Sequence, residues 1–470
     1  MSDSKIKFRI HGDNIVECDR CLDLLAQAFD AQVRFLPSDP FRPAFELAKD
    51  GKILFGVDLI PGHGRWQINL QKMFREHGAP LREATDVLIA RVSDDGKTEL
   101  VVAALEFCSA LPAGNNAWQR NGRALVCAVV GIPYLYFADV GGVELDAGRS
   151  VKASRFPNPI VPFSYLTASR AYRVICLPVY APSPSSDAII RADFEKSFGE
   201  EIGRRLVRAI IEGTSQAQAV FNLSDAILAD SATLRDRPHA MLTKRSAVAR
   251  RTLVAFPAVT SPDKFSEHDV DSALHLLFSR SGDKNVFEVM CNPPGGDWSG
   301  ITLRNFISSA EHRWTSLPRV SGIDGKRPDH VVQIDQQKGR TILVAIESKD
   351  TAGKIEERVG RRMKKFTHDL IAIAPTIAKP HKGKWTPYSG EPLNLVSEVI
   401  SAGAFCWESL AKLEDSLKRG ELEATFAFEF HSGEQPSLLH VKTRANADFL
   451  VPIVRKAAEN FGGRLKVQIY

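Results

Sequence analysis

The stretch "KRPDHVVQIDQQKGRTILVAIESKD", residues 326–350, contains two apolar runs separated by polar turn residues. Two runs rich in β-branched residues, joined by a short turn that contains glycine, are typical of a β-hairpin. A turn centred on Lys338 places Asp329 opposite Glu347, because both residues are equally far from that centre. Opposed side chains on antiparallel strands lie roughly 5 Å apart at Cβ. Lys349 is two positions beyond Glu347 and therefore projects from the same face of its strand.

Two carboxylates and one ammonium group therefore converge at one end of this hairpin. Paired carboxylates suit Mg²⁺, which binds one or two carboxylates and keeps several waters. The metal lowers the pKa of a bound water and offsets charge that develops on a phosphate. A neighbouring lysine can orient or deprotonate that water and stabilise the transition state. The pattern thus predicts phosphodiester hydrolysis with Asp329 and Glu347 as metal ligands and Lys349 beside the attacking water; a solvated surface hairpin is the alternative.

The residues Pro328-Asp329 and Glu347-Ser348-Lys349 resemble the signature of the PD-(D/E)XK nuclease superfamily, to which most type II restriction endonucleases belong. The resemblance implies a mixed central sheet flanked by helices, Mg²⁺ dependence with Mn²⁺ as a substitute, and cleavage of DNA. Superfamily members often add a glutamate from a helix ahead of the motif. Glu288, interpreted as helical, is the candidate for that role, and Glu311 is the alternative.

A second feature of this half favours a DNA partner. The run "KIEERVGRRMKKF" follows the motif and is interpreted as a helix. Basic side chains at helical spacing form a strip that can bind phosphates, although a solvated charged face is an equal alternative. The proposed DNA-binding residues are Arg358, Arg361, Arg362 and Lys365.

An earlier hairpin, in "DVLIARVSDDGKTELVVAALEFC" (86–108), repeats this pattern. Asp86 lies opposite Glu106 when the turn is centred on Gly96, and a predicted helix and a buried strand, "IPYLYFADV", follow. Cys108 stands where the motif has lysine, and a thiol cannot supply the missing positive charge. Gln119, on the following helix, is the candidate replacement.

The first hairpin therefore predicts a second endonuclease-like core with Asp86 and Glu106 as metal ligands. Arg120 and Arg123 can stabilise charge or bind DNA, but they stay protonated and cannot act as bases. An active second site and a degenerate core that keeps only its fold remain alternatives. Two active cores would let one chain cut both strands, whereas one active core would require a homodimer for a double-strand break.

The amino-acid composition indicates the broad class of protein. The chain has 470 residues, 44% hydrophobic and 25% charged, with a formal charge of +5, which permits a nucleic-acid partner without requiring one. Its seven cysteines are dispersed, which is typical of reduced thiols in a cytoplasmic protein. The close pair Cys18 and Cys21 falls in a run that reads as an amphipathic helix, an interpretation favoured over a zinc site. The start of the chain does not resemble a signal peptide and no apolar run suits a membrane span, so we expect a cytoplasmic protein without a membrane partner.

The predicted fold is α/β, with a restriction-endonuclease-like core present twice and joined by a helical linker region. The expected domains are residues 1–180, an active or degenerate core; 181–255, the linker and DNA-contact region; and 256–470, the nuclease core. The expected function is Mg²⁺-dependent cleavage of double-stranded DNA by a type II restriction endonuclease, with a protecting DNA methyltransferase as genetic partner. One alternative is another anti-phage or repair nuclease, nonspecific or activated by a partner. The other is a non-catalytic DNA-binding protein built from decayed nuclease folds.

Overall fold

The computed structural model describes most of both halves of the chain. The described residues are 6–62, 65–66, 70–78, 85–108, 115–140, 143–145, 151–154, 165, 172, 174–182, 200–212, 254–262, 264–280, 282–283, 285–291, 301–304, 314–317, 324–336, 340–378 and 396–470. Glu311, the predicted turn centre Lys338 and most of the predicted linker lie outside them.

Two mixed nine-stranded sheets flanked by helices confirm the predicted α/β class. The described helices are α1 (Ile15–Phe29), α2 (Leu70–Glu76), α3 (Asn115–Val129), α4 (Glu200–Glu212), α5 (Glu267–Ser279), α6 (Val359–Ala378), α7 (Leu410–Arg419) and α8 (Leu450–Glu459). The first sheet contains β1 (Lys7–Gly12), β2 (Gln32–Asp39), β3 (Arg42–Lys49), β4 (Lys52–Pro61), β5 (Val87–Val92), β6 (Thr98–Cys108), β7 (Tyr134–Val140), β10 (Cys176–Pro182) and β11 (Ala255–Pro257). The short strands β8 (Val143–Leu145) and β9 (Val151–Ser154) pair only with each other among the described residues. The second sheet contains β12 (Val286–Cys291), β13 (Ile301–Arg304), β14 (Trp314–Leu317), β15 (His330–Gln336), β16 (Arg340–Ser348), β17 (Val396–Cys406), β18 (Ala424–Glu429), β19 (Ser437–Thr443) and β20 (Leu465–Ile469).

The first sheet has the order β10-β7-β6-β5-β1-β4-β3-β2, and β11 pairs with β6. Its centre is the antiparallel pair β5–β6, the first hairpin. β6 then pairs in parallel with β7, after the chain crosses through α3. Because β11 is hydrogen-bonded to β6, the first sheet takes in residues 255–257, at the border between the predicted linker and the predicted second core.

The second sheet has the order β14-β13-β12-β15-β16-β17-β18-β19-β20. Its centre is the antiparallel pair β15–β16, the second hairpin, and β16 pairs in parallel with β17 after the chain crosses through α6. Val332, Val344 and Ile346 are fully buried, because α5 and α6 both pack against this part of the sheet. Strands covered on both faces become continuous apolar runs, which is how the sequence reads here.

Helix α1 lies between the halves and contacts β1 and β4 as well as α5. Asn14 caps its start by accepting a hydrogen bond from Glu17 N at 3.0 Å. Cys18 and Cys21 are fully buried on its inner face, so the amphipathic-helix interpretation of this segment is confirmed. Buried side chains from both sheets form one hydrophobic core. Within the described part of the chain, no helix combines the length and apolar character needed to span a bilayer.

Candidate active site

The second hairpin brings Asp329 and Glu347 together in the predicted register. His330 pairs with Ile346 and Gln336 with Arg340, which leaves Asp329 and Glu347 as the next opposed pair. The amide of Asp329 donates to Ile346 O at 2.9 Å and so continues the ladder to this position. The side chain of Asp329 accepts a hydrogen bond from Ser348 N at 2.8 Å. This bond fixes one carboxylate beside the other at the end of the hairpin.

The ammonium group of Lys349 is surrounded by oxygen atoms. Its Nζ lies 3.0 Å from Glu267 Oε1, 3.1 Å from Glu347 Oε1 and 3.5 Å from Asp329 Oδ2, and it also contacts the carbonyl oxygen of Ser348. Glu347 is completely buried. A group of hard oxygen atoms that already holds one cation has the donor chemistry that Mg²⁺ requires.

Burial and mutual repulsion perturb the titration of this site. Burial, and then the negative charge of Glu347, raise the pKa of Asp329 to about 7. Burial alone would lower the pKa of Lys349, but Asp329, Glu347 and Glu267 together raise it and keep the ammonium charged. Burial also raises the pKa of Glu267. Perturbed groups that cluster in one place are typical of functional sites.

A second lysine, which the sequence analysis missed, contacts the same buried carboxylate. Lys326 Nζ lies 2.6 Å from Glu347 Oε1 and also contacts Glu356. Lys326 stands two residues before Pro328, immediately ahead of the motif. The position of Lys326 next to the motif is visible in the sequence. It could not be recognised as a site residue, because the signature does not include a lysine at this spacing.

The prediction that Glu288 lies on a helix is wrong, because Glu288 is in strand β12. The segment "VFEVMC" is a short, largely apolar run of strand length, and the helix ahead of the motif is α5. Its first residue, Glu267, supplies the carboxylate that contacts Lys349. The sequence "SEHD" indicates the start of this helix, because Asp269 at the third helical position accepts a hydrogen bond from Ser266 N at 2.8 Å.

Glu288 instead belongs to a row of buried polar side chains that starts at the site. Ser348 Oγ contacts Asp271, Asp271 Oδ1 lies 2.8 Å from His330 Nε2, and His330 Nδ1 lies 2.5 Å from Glu288 Oε1. Glu288 Oε2 contacts His275 Nδ1, and His275 Nε2 lies 2.9 Å from Asp19 Oδ2 on helix α1. We call this row the buried chain; its members are Ser348, Asp271, His330, Glu288, His275 and Asp19. It links the second hairpin to the first half of the molecule.

The buried chain is strongly charged. Both ring nitrogens of His275 and of His330 face carboxylates, and an ionised carboxylate can only accept, so both imidazoles donate twice. Burial opposes the ionisation of Glu288, but the two histidines hold its pKa well below the usual range. Alternating signs let the groups stay ionised in the core, where an unpaired charge would be very costly.

The first hairpin places Asp86 and Glu106 together in the same way. Val87 pairs with Leu105, as predicted, and the register shifts by one residue only beyond Ile89. Asp86 Oδ2 accepts a hydrogen bond from Phe107 N, the residue after the glutamate, at 2.8 Å. The bond between Asp329 and Ser348 N has the same arrangement and the same length.

Arginines, rather than a lysine, neutralise this first carboxylate pair. Arg123 Nη1 lies 3.0 Å from Asp86 Oδ1 and contacts Glu106, and Arg120 Nε lies 3.1 Å from Glu106 Oε1. Both arginines come from α3, the helix that also carries Gln119, the replacement proposed from the sequence. The side chains of Cys108 and Gln119 lie outside the described residues.

Three carboxyl groups at the first site have raised pKa values. Burial and Asp86 raise the pKa of Glu106 well above its usual range. Burial, followed by Asp86, raises the pKa of Asp13 to about 6. Glu17, on α1, has a strongly raised pKa from burial and the same neighbours. Arg120 and Arg123 lower the pKa of Glu106, and Arg20 lowers that of Glu17, but burial outweighs them in both cases.

The proposed phosphate-binding strip is only partly helical. Helix α6 begins at Val359, and Arg358 precedes it with φ of 57°, so the prediction of a helix through Arg358 is wrong. The left-handed backbone at Arg358 directs its amide to Arg419 O at 2.9 Å and breaks the helical path. Arg361 pairs with Glu421, Arg362 with Glu356, and Lys365 with Asp324 and Asp369. All four basic side chains of the strip are at least 44% exposed.

Within the described ranges, no group of three or more His, Cys, Asp or Glu side chains has the geometry of a metal site. The oxygens around Lys349 nevertheless include a main-chain carbonyl, so their donor set fits Mg²⁺ with two protein carboxylates and water. Compared with family models, curated proteins and solved structures, the chain gives no match.

Proposed function

We propose that this protein is a Mg²⁺-dependent endonuclease that hydrolyses double-stranded DNA at the site formed by Asp329, Glu347 and Lys349. The observation that carries the proposal is the convergence of these groups at the end of β16. The Lys349 ammonium lies 3.5 Å from Asp329 Oδ2 and 3.1 Å from Glu347 Oε1, and the hairpin register places the two carboxylates opposite each other. Their setting is largely buried, which strengthens electrostatic stabilisation of a phosphate.

Strand order supports the proposal. In the second sheet, β12 pairs with the first strand of the hairpin β15–β16. The chain then crosses through α6 to β17, which pairs in parallel with β16. The first sheet has β1, β5, β6, α3 and β7 in the same relative directions. The helix and the parallel strand that follow each hairpin agree with the restriction-endonuclease resemblance, and their recurrence supports two such cores. The connection differs, since α1 follows β1 whereas α5 precedes β12.

In this proposal Asp329 and Glu347 hold the metal. Bound Mg²⁺ supplies a water of lowered pKa and positive charge beside the scissile phosphate. Lys349, kept charged by its neighbours, orients the water and stabilises the negative charge of the transition state. Glu267 and the carbonyl of Ser348 hold the ammonium in place for that role.

We propose that the first site retains the backbone arrangement of the second but does not catalyse hydrolysis. Arg123 bridges Asp86 and Glu106 in the way that Lys349 bridges Asp329 and Glu347. A guanidinium remains protonated, cannot act as a base, and holds carboxylates more rigidly than an ammonium does. One working site per chain then requires a homodimer for a double-strand break.

Replacement of Lys349 tests the proposal. Lys349→Ala should lower the cleavage rate of plasmid DNA in Mg²⁺ by roughly 10²–10³-fold, the usual cost of removing one group that stabilises charge in the transition state. Lys456→Ala, which removes an exposed lysine paired with Asp283, is the matched control, and EDTA should stop both proteins. Undiminished cleavage by Lys349→Ala would remove this site from the reaction. Single-strand nicks from the variant would instead assign activity to the first site.

The biological role we favour is restriction, with a DNA methyltransferase protecting the host. Unmethylated phage DNA is the appropriate first substrate. Sequencing of the product ends separates the alternatives: fixed ends indicate restriction, whereas scattered ends indicate another anti-phage or repair nuclease. Binding of DNA without any Mg²⁺-dependent cleavage would support the non-catalytic alternative.

A further inference from the structure

Glu347 carries two positive partners on a single oxygen atom. Its Oε1 lies 2.6 Å from Lys326 Nζ and 3.1 Å from Lys349 Nζ. The carboxylate is completely buried, so water cannot screen a third positive charge brought to the same atom. A divalent cation at this carboxylate, including at Oε2, which is buried without a hydrogen-bond partner among the described residues, is therefore repelled by two ammonium groups, and departure of one of them strengthens its binding.

The two lysines are held very differently. Lys349 has three further oxygen partners, from Glu267, Asp329 and Ser348. Lys326 has Glu347 and one other carboxylate, Glu356, among its ion pairs in the described residues. Lys326 is therefore the partner that can be displaced.

The backbone keeps Lys326 on the open side of the site. Its amide donates to Arg362 O at 3.2 Å, and its side chain is 22% exposed whereas that of Glu356 is 45% exposed. Movement away from Glu347 leaves the ammonium bound to Glu356 at the surface. This short exchange does not require any change in the sheet.

We propose that Lys326 is an exchangeable counter-ion of Glu347: it neutralises the carboxylate in the metal-free protein and moves to a DNA phosphate when metal binds. This inference rests on the proposed function, because it assumes that Glu347 binds the metal. It makes metal and DNA binding cooperative. Metal entry releases the ammonium, and a phosphate gives the released ammonium a new partner.

Titration calorimetry of the metal-free protein with Mg²⁺ alone tests the exchange without reference to activity. Lys326→Met should bind Mg²⁺ roughly fivefold more tightly than the parent protein, the equivalent of removing one partly exposed ion pair. Lys326→Arg keeps the charge and should stay near the parent affinity. Lys456→Met is the control, because it removes a lysine whose ion pair is with Asp283 and not with Glu347 or Glu356.

A variant at the surface gives an independent test, in which the affinity for Mg²⁺ should change in the opposite direction. Glu356→Gln removes the alternative partner of Lys326 and should weaken Mg²⁺ binding about threefold. Because Glu356 is exposed, this variant should fold even if Lys326→Met does not. Unchanged affinity in Glu356→Gln and in folded Lys326→Met would overturn the proposal, as would failure of the parent protein to bind Mg²⁺.

Coupling to DNA is measured with Ca²⁺ and an unmethylated phage DNA fragment. The fragment should tighten Ca²⁺ binding by the parent protein, and Lys326→Met should lose most of that effect. Equal coupling in both proteins would exclude transfer of the ammonium to a phosphate. If the metal affinities change as expected but no DNA is cut in Mg²⁺, the exchange stands and the proposed nuclease function fails.

Discussion

Arg123 shows how one residue changes the character of a carboxylate pair. Asp86 and Glu106 keep the backbone arrangement of Asp329 and Glu347, including the hydrogen bond from the following amide. The difference is the cation between them, which is a guanidinium from a helix at one site and an ammonium from the hairpin at the other. A guanidinium that bridges two carboxylates closes the place that a metal would take.

At this scale we predict that Arg123→Ala lowers the free energy of unfolding by about 3 kcal/mol, because it leaves buried carboxylates with less compensation. Denaturant unfolding at pH 7 measures the loss. Arg208→Ala, which breaks an exposed pair with Glu212, should change stability by less than about 0.5 kcal/mol. Full stability of Arg123→Ala, combined with a changed cleavage rate, would contradict a purely structural first site.

At the scale of an element, the loop before β15 depends on Gly325. Its φ is +112°, and a Cβ there would lie 2.9 Å from Phe366 N and closer still to the carbonyl of Arg362. The loop is thus pressed against α6 by a residue that can be only glycine. This contact determines where Lys326 meets the site.

We therefore expect Gly325→Ala to destabilise the protein by about 2 kcal/mol through strain and steric overlap. Displacement of Lys326 should also tighten Mg²⁺ binding, as in Lys326→Met. Thermal unfolding and calorimetry measure the two effects. Gly353→Ala is the control, because a Cβ at Gly353 meets nothing within 4 Å; equal behaviour of the two variants would refute the packing argument.

The two hairpins were predictable because strand pairing follows a simple numerical rule. Both registers match the sequence prediction next to the carboxylates, since β-branched runs and glycine turns determine the pairing locally. Local rules do not identify the roles of Glu267 and Lys326, because these roles arise from contacts between residues distant in sequence. Glu288 was assigned to a helix because an isolated apolar run does not distinguish helix from strand.

At the scale of the whole molecule, the buried chain joins the halves electrostatically. Asp19, on α1, bonds His275 and Arg280, both from the second half. Glu288 stands at the middle of the chain, between two imidazoles. Its lowered pKa means that the folded protein binds this proton less readily than the unfolded chain does.

The contribution of Glu288 to the free energy of unfolding depends on pH. The stabilisation from Glu288 is complete above its unfolded value of 4.5 and decreases as the pH falls below it. Glu288→Gln should lose about 3 kcal/mol at pH 7 and show a shallower loss of stability between pH 4.5 and pH 3. Denaturant unfolding across this range measures both; an identical acid slope in the variant and the parent would contradict the assignment.

The contacts of helix α1 also limit how the protein can be divided into stable fragments. A fragment starting at residue 256 would retain His275 and Arg280 but lose Asp19 and Asp23, their partners on α1. The half to which we assign DNA cleavage is therefore a poor candidate for transfer on its own into a fusion protein. A fusion to another DNA-binding domain would have to include α1, or to replace His275 and Arg280 by neutral residues.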